Sequence, residues 1–451
     1  MERADTADTA PEDTAHAVLD LAIRAGDLLL SAGMSARDVV TTMLGIATAY
    51  GLTGVHVDVT YTAISASYHR APHAPVTYTR VVRPGRADYS QIRSLVTLYS
   101  EMQQGLPLPD AVATFEKIWV VRHPYPAWVS TAGNAGVGAS VVLLFTTSWK
   151  VIVVTFVMGC LVDRLLSWLA DKGVPPFFRQ FAGAVLVTMI AAGISAAGAD
   201  GLRFAAGVNP ALIVVGGIVM LVVGAVMVGA AQDAIDQFYV TASARVFEVA
   251  MRTTGIVLGI VAAIRLAYQA GMPLAISASP IHHGPLAGQF AGATATAAFF
   301  GLYTYSDAVT IAFAAAMGCT GWGAYVLLLQ LGADEAVASA AGALAAALAA
   351  TILTRRTHVP AFGLISAAIL PLVPGLSLYD GLLQVIGTPA HHGAPAEGAA
   401  TLFTALGVAL SIAAGTSLGT FLGRPIADRV RRVKVPRPAT AKSRGGSAPG
   451  Q

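Results

Sequence analysis

Apolar and polar positions follow two different patterns along this chain. Up to about residue 126, apolar residues recur at helix or strand spacing with polar residues between them. Beyond it, apolar runs of roughly 20 residues succeed one another with few breaks. In the first region Val18, Leu21, Ala22, Ala25, Leu28 and Leu29 fall on one helical face, and Ser31-Ala32-Gly33 ends that helix. Ser35 reads as the N-cap of the next helix, with Asp38 three residues on and Met34 and Val39 at the hydrophobic-staple positions. Val39, Met43, Ile46, Ala47 and Tyr50 make its apolar stripe, and Gly51 suits its C-terminal stop. Val55–Tyr61, Ala63–His69 and Val76–Val82 alternate as strands with one buried face. Helices over Tyr89–Gln103 and Pro109–Val120 complete an α+β domain at 14–126, behind a polar, disordered segment at 1–13.

The second region divides into ten expected spans. They are Trp128–Thr147, Lys150–Ala170, Phe178–Ala199, Asn209–Ala231 and Arg245–Tyr268, then Pro285–Tyr305, Ala308–Gln330, Glu335–Thr354, Ala361–Gln384 and Gly398–Leu422. Charge supports this division. Residues 1–126 carry 10 Lys/Arg and 13 Asp/Glu, whereas 127–423 carry 10 and 11 over more than twice the length. A water-soluble surface needs more charge than that, and a lipid-facing one does not. The mean hydropathy of +0.65 agrees. The expected fold class is therefore a polytopic α-helical membrane protein with an N-terminal cytoplasmic α+β domain.

Placing the N-terminal domain inside puts Arg122, the Lys172–Arg179 loop, Arg245, Arg355-Arg356 and the tail inside as well. That tail, 424–451, holds eight Lys/Arg and one Asp and is read as a disordered cytoplasmic segment rather than a nucleic-acid arm. The outer loops hold Lys150 and Arg203, and Ala270–Gly284 and Val385–Glu397 contain no Lys or Arg. This bias calls for an even number of spans and both termini in the cytoplasm. The opening MERADTADTAPED has no apolar core of a secretory signal. Ile218–Gly224 resembles Ile369–Gly375 at an offset of 151, each in the fourth span of its half. Two five-span units, 127–270 and 271–423, would insert in opposite orientations because five is odd, giving an inverted repeat.

Candidate chemistry is sparse. Pro371 and Pro374 interrupt the ninth span, and Gly375, Ser377, Tyr379 and Asp380 follow. Proline removes a helix hydrogen bond, so freed carbonyls here could line a substrate cavity or simply mark a packed kink. Gly224 is the first-half counterpart of Gly375. Asp233 and Asp236 end the fourth span, and Arg245, Glu248 and Arg252 open the fifth with shared-face spacing. Asp163-Arg164 lies toward the inner end of the second span. These charges read equally as a structural network or as a coupling path. His282-His283 and His391-His392 are adjacent pairs in outer loops, which is poor metal-ligand spacing. Cys160 and Cys319 sit in apolar runs as packing residues. Gly415, Gly419 and Gly423 have the small-residue spacing of a helix contact. No Walker-type loop or nucleophile elbow occurs, and no cofactor or metal is expected.

These segments resemble the threonine/serine exporter family. The likeness runs through Asp27–Val39 (DLLLSAGMSARDV), Ala49–Leu52, Val57–Ile64, Pro124–Trp128, Val240–Ala250 (VTASARVFEVA) and Leu372–Gly381 (LVPGLSLYDG), in family order. It implies two fused five-helix units and export of small polar amino acids, with protons as the driving ion and a homo-oligomer open. One departure stands out: the first-half Pro-Gly motif is Val223-Gly224 here. Related members export dicarboxylates, for which Arg252 would be the cationic candidate. A membrane-tethered enzyme is the other rival, with Ser35, Asp38, His56 and Asp58 as its groups.

Overall fold

The computed structural model describes residues 12–69, 75–83, 85, 87–120, 123–205, 207–221, 224–272, 283–357, 361–375, 377, 381, 384–385 and 395–432. Its first elements are α1 (Glu12–Ser31), α2 (Ala36–Ala49), β1 (Val55–Thr60), β2 (Ala63–Tyr68), β3 (Val76–Val81), α3 (Tyr89–Gln103) and α4 (Leu108–Val120). The strands form one antiparallel sheet in the order β1-β2-β3, with Val57 opposite Ala66 and Ala66 opposite Tyr78. Ile64, Ala66 and Tyr68 on β2 turn inward against the helices. On the other face, the hydroxyls of Ser65 and Thr79, and of Ser67 and Thr77, pair across strands at 3.2 and 2.9 Å. The core joins Val18, Leu19, Ala22 and Leu29 of α1 to Val39, Met43 and Ile46 of α2, and both to Ile92, Leu95 and Phe115. Local chemistry sets the helix ends. The Ser35 hydroxyl accepts the Asp38 N–H at 3.2 Å, and Gly51 takes φ +79°, which an L-residue adopts only with strain.

The remaining helices are α5 (Ala127–Leu143), α6 (Trp149–Asp171), α7 (Pro176–Ala199), α8 (Pro210–Leu221), α9 (Gly224–Ile235) and α10 (Tyr239–Gln269). They continue as α11 (Leu286–Tyr303), α12 (Ala308–Gln330), α13 (Glu335–Thr357), α14 (Ala361–Ile369) and α15 (Pro395–Arg432). Among the described residues, six helices are long and apolar enough to cross a membrane: α6, α7, α10, α12, α13 and α15. At 1.5 Å per residue the 23 residues of α6 reach about 35 Å, enough for a bilayer core. Trp149, Val153, Val157, Leu161 and Trp168 form an exposed apolar stripe along it, an arrangement suited to lipid.

Several sequence expectations need adjustment. The fourth span, Asn209–Ala231, is described as α8 up to Leu221 and α9 from Gly224, and Val222 and Val223 lie outside the described residues. The ninth span breaks. After α14 comes a single 3-10 turn, Leu370–Leu372, and Val373 is extended at ψ 131° because Pro374 excludes a helical residue before it. Pro425 is the one proline inside α15, and that helix runs to Arg432, so 424–432 are helical rather than irregular. Glu12 and Asp13 likewise already belong to α1.

The two sets of helices share one contact plan. Helix α5 packs on α6 and α8, α6 on α7 and α8, and α7 on α8 and α10. In the same way α11 packs on α12 and α14, α12 on α13 and α14, and α13 on α14 and α15. The sets meet through α5 against α11 and α9 against α15. Small residues permit this closeness. A Cβ on Gly419 would lie 2.5 Å from the Leu344 carbonyl oxygen, and one on Gly133 would lie 2.5 Å from the Tyr303 nitrogen. Gly415 and Gly423 face Ala340 and Thr351 on the same α13 surface, so all three glycines of the spaced run are packing positions.

Candidate functional site

A cavity of about 1700 Å³ lies between the N-terminal unit and the helical body. Its upper wall comes from the turn before α2, from Arg37 and Asp38, from Tyr61 and from one face of α3. Its lower walls come from α9, α10, α11, α13, α14 and α15. It reaches Ile369, the last residue of α14, and Val226, in the first turn of α9. The cavity therefore extends to the first turn of α9 and to the break in the ninth span.

The N-terminal unit is held over this space by polar contacts on both sides. On one side Asp233, fully buried on α9, accepts the Ala36 N–H at 2.9 Å. Arg245 of α10 places Nη1 2.9 Å from Asp233 Oδ2 and donates Nη2 to the Met34 carbonyl at 2.8 Å. The turn between α1 and α2 thus sits on a buried ion pair that satisfies both its N–H and its C=O. Arg37 pairs with Asp236 at 2.9 Å, Thr241 donates to the Val59 carbonyl, and the Tyr61 hydroxyl donates to Glu248. On the other side the Tyr89 N–H donates to the Thr304 carbonyl at 2.8 Å, and Arg93 pairs with Asp307 at 2.6 Å. The Tyr89 ring meets Phe300 and Phe362 edge-on. The unit consequently bridges the two sets of helices.

The charged candidates divide by place. Asp236, Arg245, Glu248 and Arg252 line the cavity, with Asp233 directly behind Arg245. The shared-face spacing of Arg245, Glu248 and Arg252 holds only in part. Arg252 pairs with Glu248 within α10, while Arg245 turns to Asp233. Asp163 and Arg164 are not in this cluster. Asp163 is buried on α6, accepts from Thr131 at 2.8 Å and Asn134 at 3.0 Å on α5, and pairs with Arg164 at 2.8 Å. That arrangement ties α5 to α6. Pro374, Gly375 and Ser377 do not line the cavity. A Cβ on Gly375 would lie 2.9 Å from Val219 Cγ2 on α8, so the broken ninth span lies beside α8. Gly224 opens α9. Tyr379, Asp380, His282, His391 and His392 lie outside the described residues. His283 stacks on Phe145 and neighbours Trp322.

Burial tunes the acids at the rim. Asp38 and Asp236 both have their pKa raised, first by burial, which disfavours the charged carboxylate. The Ser35 hydroxyl offsets part of this at Asp38, and Arg37 part of it at Asp236. The Tyr61 pKa is also raised, by burial and then by the Glu248 carboxylate, so its hydroxyl remains a neutral donor near pH 7. Sequence reasoning missed Tyr61, Arg37 and Arg424 as cavity residues. It also missed the hydroxyls of Thr351, Thr416, Ser417 and Thr420, which line the space from α13 and α15. The signal for the last three was available, because the run Thr416-Ser417 and then Thr420 is polar inside an otherwise apolar helix. His56 and Asp58 are exposed on β1, and Ser35 is buried as a cap, so the hydrolase-like set does not form one pocket.

Comparison with known proteins agrees in extent and order. Residues 20–267 match the family described as "Putative threonine/serine exporter", and residues 289–422 match "Threonine/Serine exporter, ThrE". The chain is 31% identical over 421 residues to the "Probable threonine/serine exporter" of Mycobacterium tuberculosis, covering 91% of this chain and 77% of that protein. It is 32% identical over 426 residues to the "Threonine/serine exporter" of Corynebacterium glutamicum, covering 92% and 83%. No solved structure matches the chain significantly. Members of this family are transporters, not enzymes, which removes the tethered-enzyme reading. By its matches over both halves and its multi-pass helical body, the chain belongs to the threonine/serine exporter family.

Proposed function

We propose that this protein is a secondary exporter of small polar amino acids of the threonine and serine class, acting in the cell membrane and driven by the proton gradient. The observation that carries the reading is the cavity, which runs from a charged rim at the N-terminal unit to the first turn of α9 and to the end of α14, where the ninth span is interrupted. Interrupted helices offer unpaired carbonyls and helix ends inside a membrane, where a polar solute has no other partners. The matching contact plan of α5–α10 and α11–α15, with the similar segments Ile218–Gly224 and Ile369–Gly375 lying 151 residues apart, supports two inverted five-span repeats. The Lys/Arg bias supports ten spans, with the N-terminal unit and both termini in the cytoplasm. On this reading substrate enters beneath the N-terminal unit and moves toward Gly224 and the break at Pro374-Gly375. Ser377, Tyr379 and Asp380 would follow along the path, and Asp380 would carry the coupling proton.

The test is efflux from proteoliposomes preloaded with labelled threonine, serine or succinate, with and without a pH gradient. Threonine and serine should leave faster with the gradient imposed, and succinate should not. Gradient-independent release, or release of succinate alone, would remove the reading. Pro374→Ala combined with Gly375→Ala should cut threonine efflux at unchanged membrane insertion.

A further inference from the structure

On the α10 wall of the cavity, Glu248 and Arg252 sit one helical turn apart and form an ion pair with both side chains about one-fifth exposed. Tyr61, from the turn between β1 and β2, donates its hydroxyl to Glu248 from the opposite side. Arg252 is not fully used, because its buried Nε meets no hydrogen-bond acceptor among the described residues. A guanidinium whose Nε has no acceptor can engage a carboxylate with two parallel side-on hydrogen bonds once the side chain turns that edge toward the ligand.

The neighbouring charges restrict what can bind there. Arg37 is paired with Asp236, and Arg245 with Asp233. On the facing wall Arg424 lies within electrostatic reach of Asp38 and Asp236. Arg37, Arg245 and Arg252 thus each already face a carboxylate, and Arg179 lies within electrostatic reach of Arg252. A dianion would meet Glu248 as a like charge. A zwitterion adds no net charge and can exchange with the internal pair, its carboxylate going to Arg252 and its ammonium to Glu248. We propose that Glu248 and Arg252, capped by Tyr61, form a recruitment site for the zwitterionic head of an α-amino acid, built jointly by the N-terminal unit and the helical body. The choice of ligand rests on the exporter reading above.

The experiment measures equilibrium binding to the purified full-length protein in detergent, by scintillation proximity or calorimetry. The probes are threonine, threoninamide (no carboxylate), N-acetylthreonine (no ammonium) and succinate. Wild-type protein should bind threonine at least tenfold more tightly than either modified form, and succinate not measurably. Arg252→Gln should weaken threonine and erase the difference between threonine and threoninamide. Glu248→Gln should erase the difference between threonine and N-acetylthreonine. Tyr61→Phe keeps both charges and should shift threonine binding less than threefold. The ligand series on wild-type protein needs no variant, so misfolding of a variant cannot shelter the proposal. Equal binding of all three threonine forms by wild-type protein overturns it, as does wild-type discrimination surviving in both charge variants, tighter binding of succinate, or no threonine binding at millimolar concentration. Binding in the expected pattern without any efflux would support this site and remove the exporter reading.

Discussion

Replacing Asp233 by Asn tests the idea that a buried ion pair holds the N-terminal unit in place. Asn keeps an oxygen for the Ala36 N–H, so the change isolates the loss of charge. Asp233 is fully buried and the Arg245 side chain is 5% exposed, so water cannot replace the missing carboxylate. The Met34 carbonyl would be the remaining recorded partner of that guanidinium. Breaking one side of a buried pair costs about 3–5 kcal/mol. The lower figure corresponds to roughly a hundredfold increase in local opening of the turn before α2. Amide hydrogen exchange over Met34–Met43 in the purified protein reads this directly. Protection should fall about a hundredfold in Asp233→Asn while the α12 and α13 peptides stay unchanged. The pair Asp233→Leu with Arg245→Met removes both charges together, and its cost should fall short of the summed single costs by about 2 kcal/mol. Unchanged protection in Asp233→Asn, or additive costs in the double variant, would refute the latch.

Four further outcomes can be checked. Gly229→Ala should weaken the latch by on the order of 1 kcal/mol, since a Cβ there would lie 2.9 Å from Arg245 Nη1; exchange over the same peptide measures it. Gly419→Val should lower the thermal midpoint in detergent through a loss of about 1–3 kcal/mol, because α13 backbone blocks the added side chain and nothing flexible can yield. The raised pKa of Asp38 means that the folded state holds its proton to higher pH than the unfolded chain. Stability should then fall as pH rises from the ordinary carboxylate range through the raised value, and Asp38→Asn should flatten that fall in a thermal scan against pH. The proposed topology is checked in a background lacking Cys160 and Cys319. A cysteine at Ser443 should resist an impermeant reagent in intact cells, and labelling there would exclude a cytoplasmic tail.

What the sequence determined by itself was set by short-range chemistry. A lipid-facing helix must be apolar along its whole length, so the membrane class and the approximate positions of α6, α7, α10, α12, α13 and α15 were legible from composition alone. The Ser35 cap, the Gly51 stop and the break at Pro371 and Pro374 were equally legible, because each depends on a residue's own backbone or on a partner within a few positions. The roles of the charges were beyond the sequence. Helical spacing put Arg245, Glu248 and Arg252 together, yet Arg245 belongs to Asp233 and, through it, to Ala36, 197 positions from Asp233. Tyr61 meets Glu248 across 187 positions. Periodicity states which side chains share a face; it does not state what that face looks upon. Ion pairs form by distance in space, so only the docking of the N-terminal unit could turn a scattered set of charges into a latch and a cavity rim.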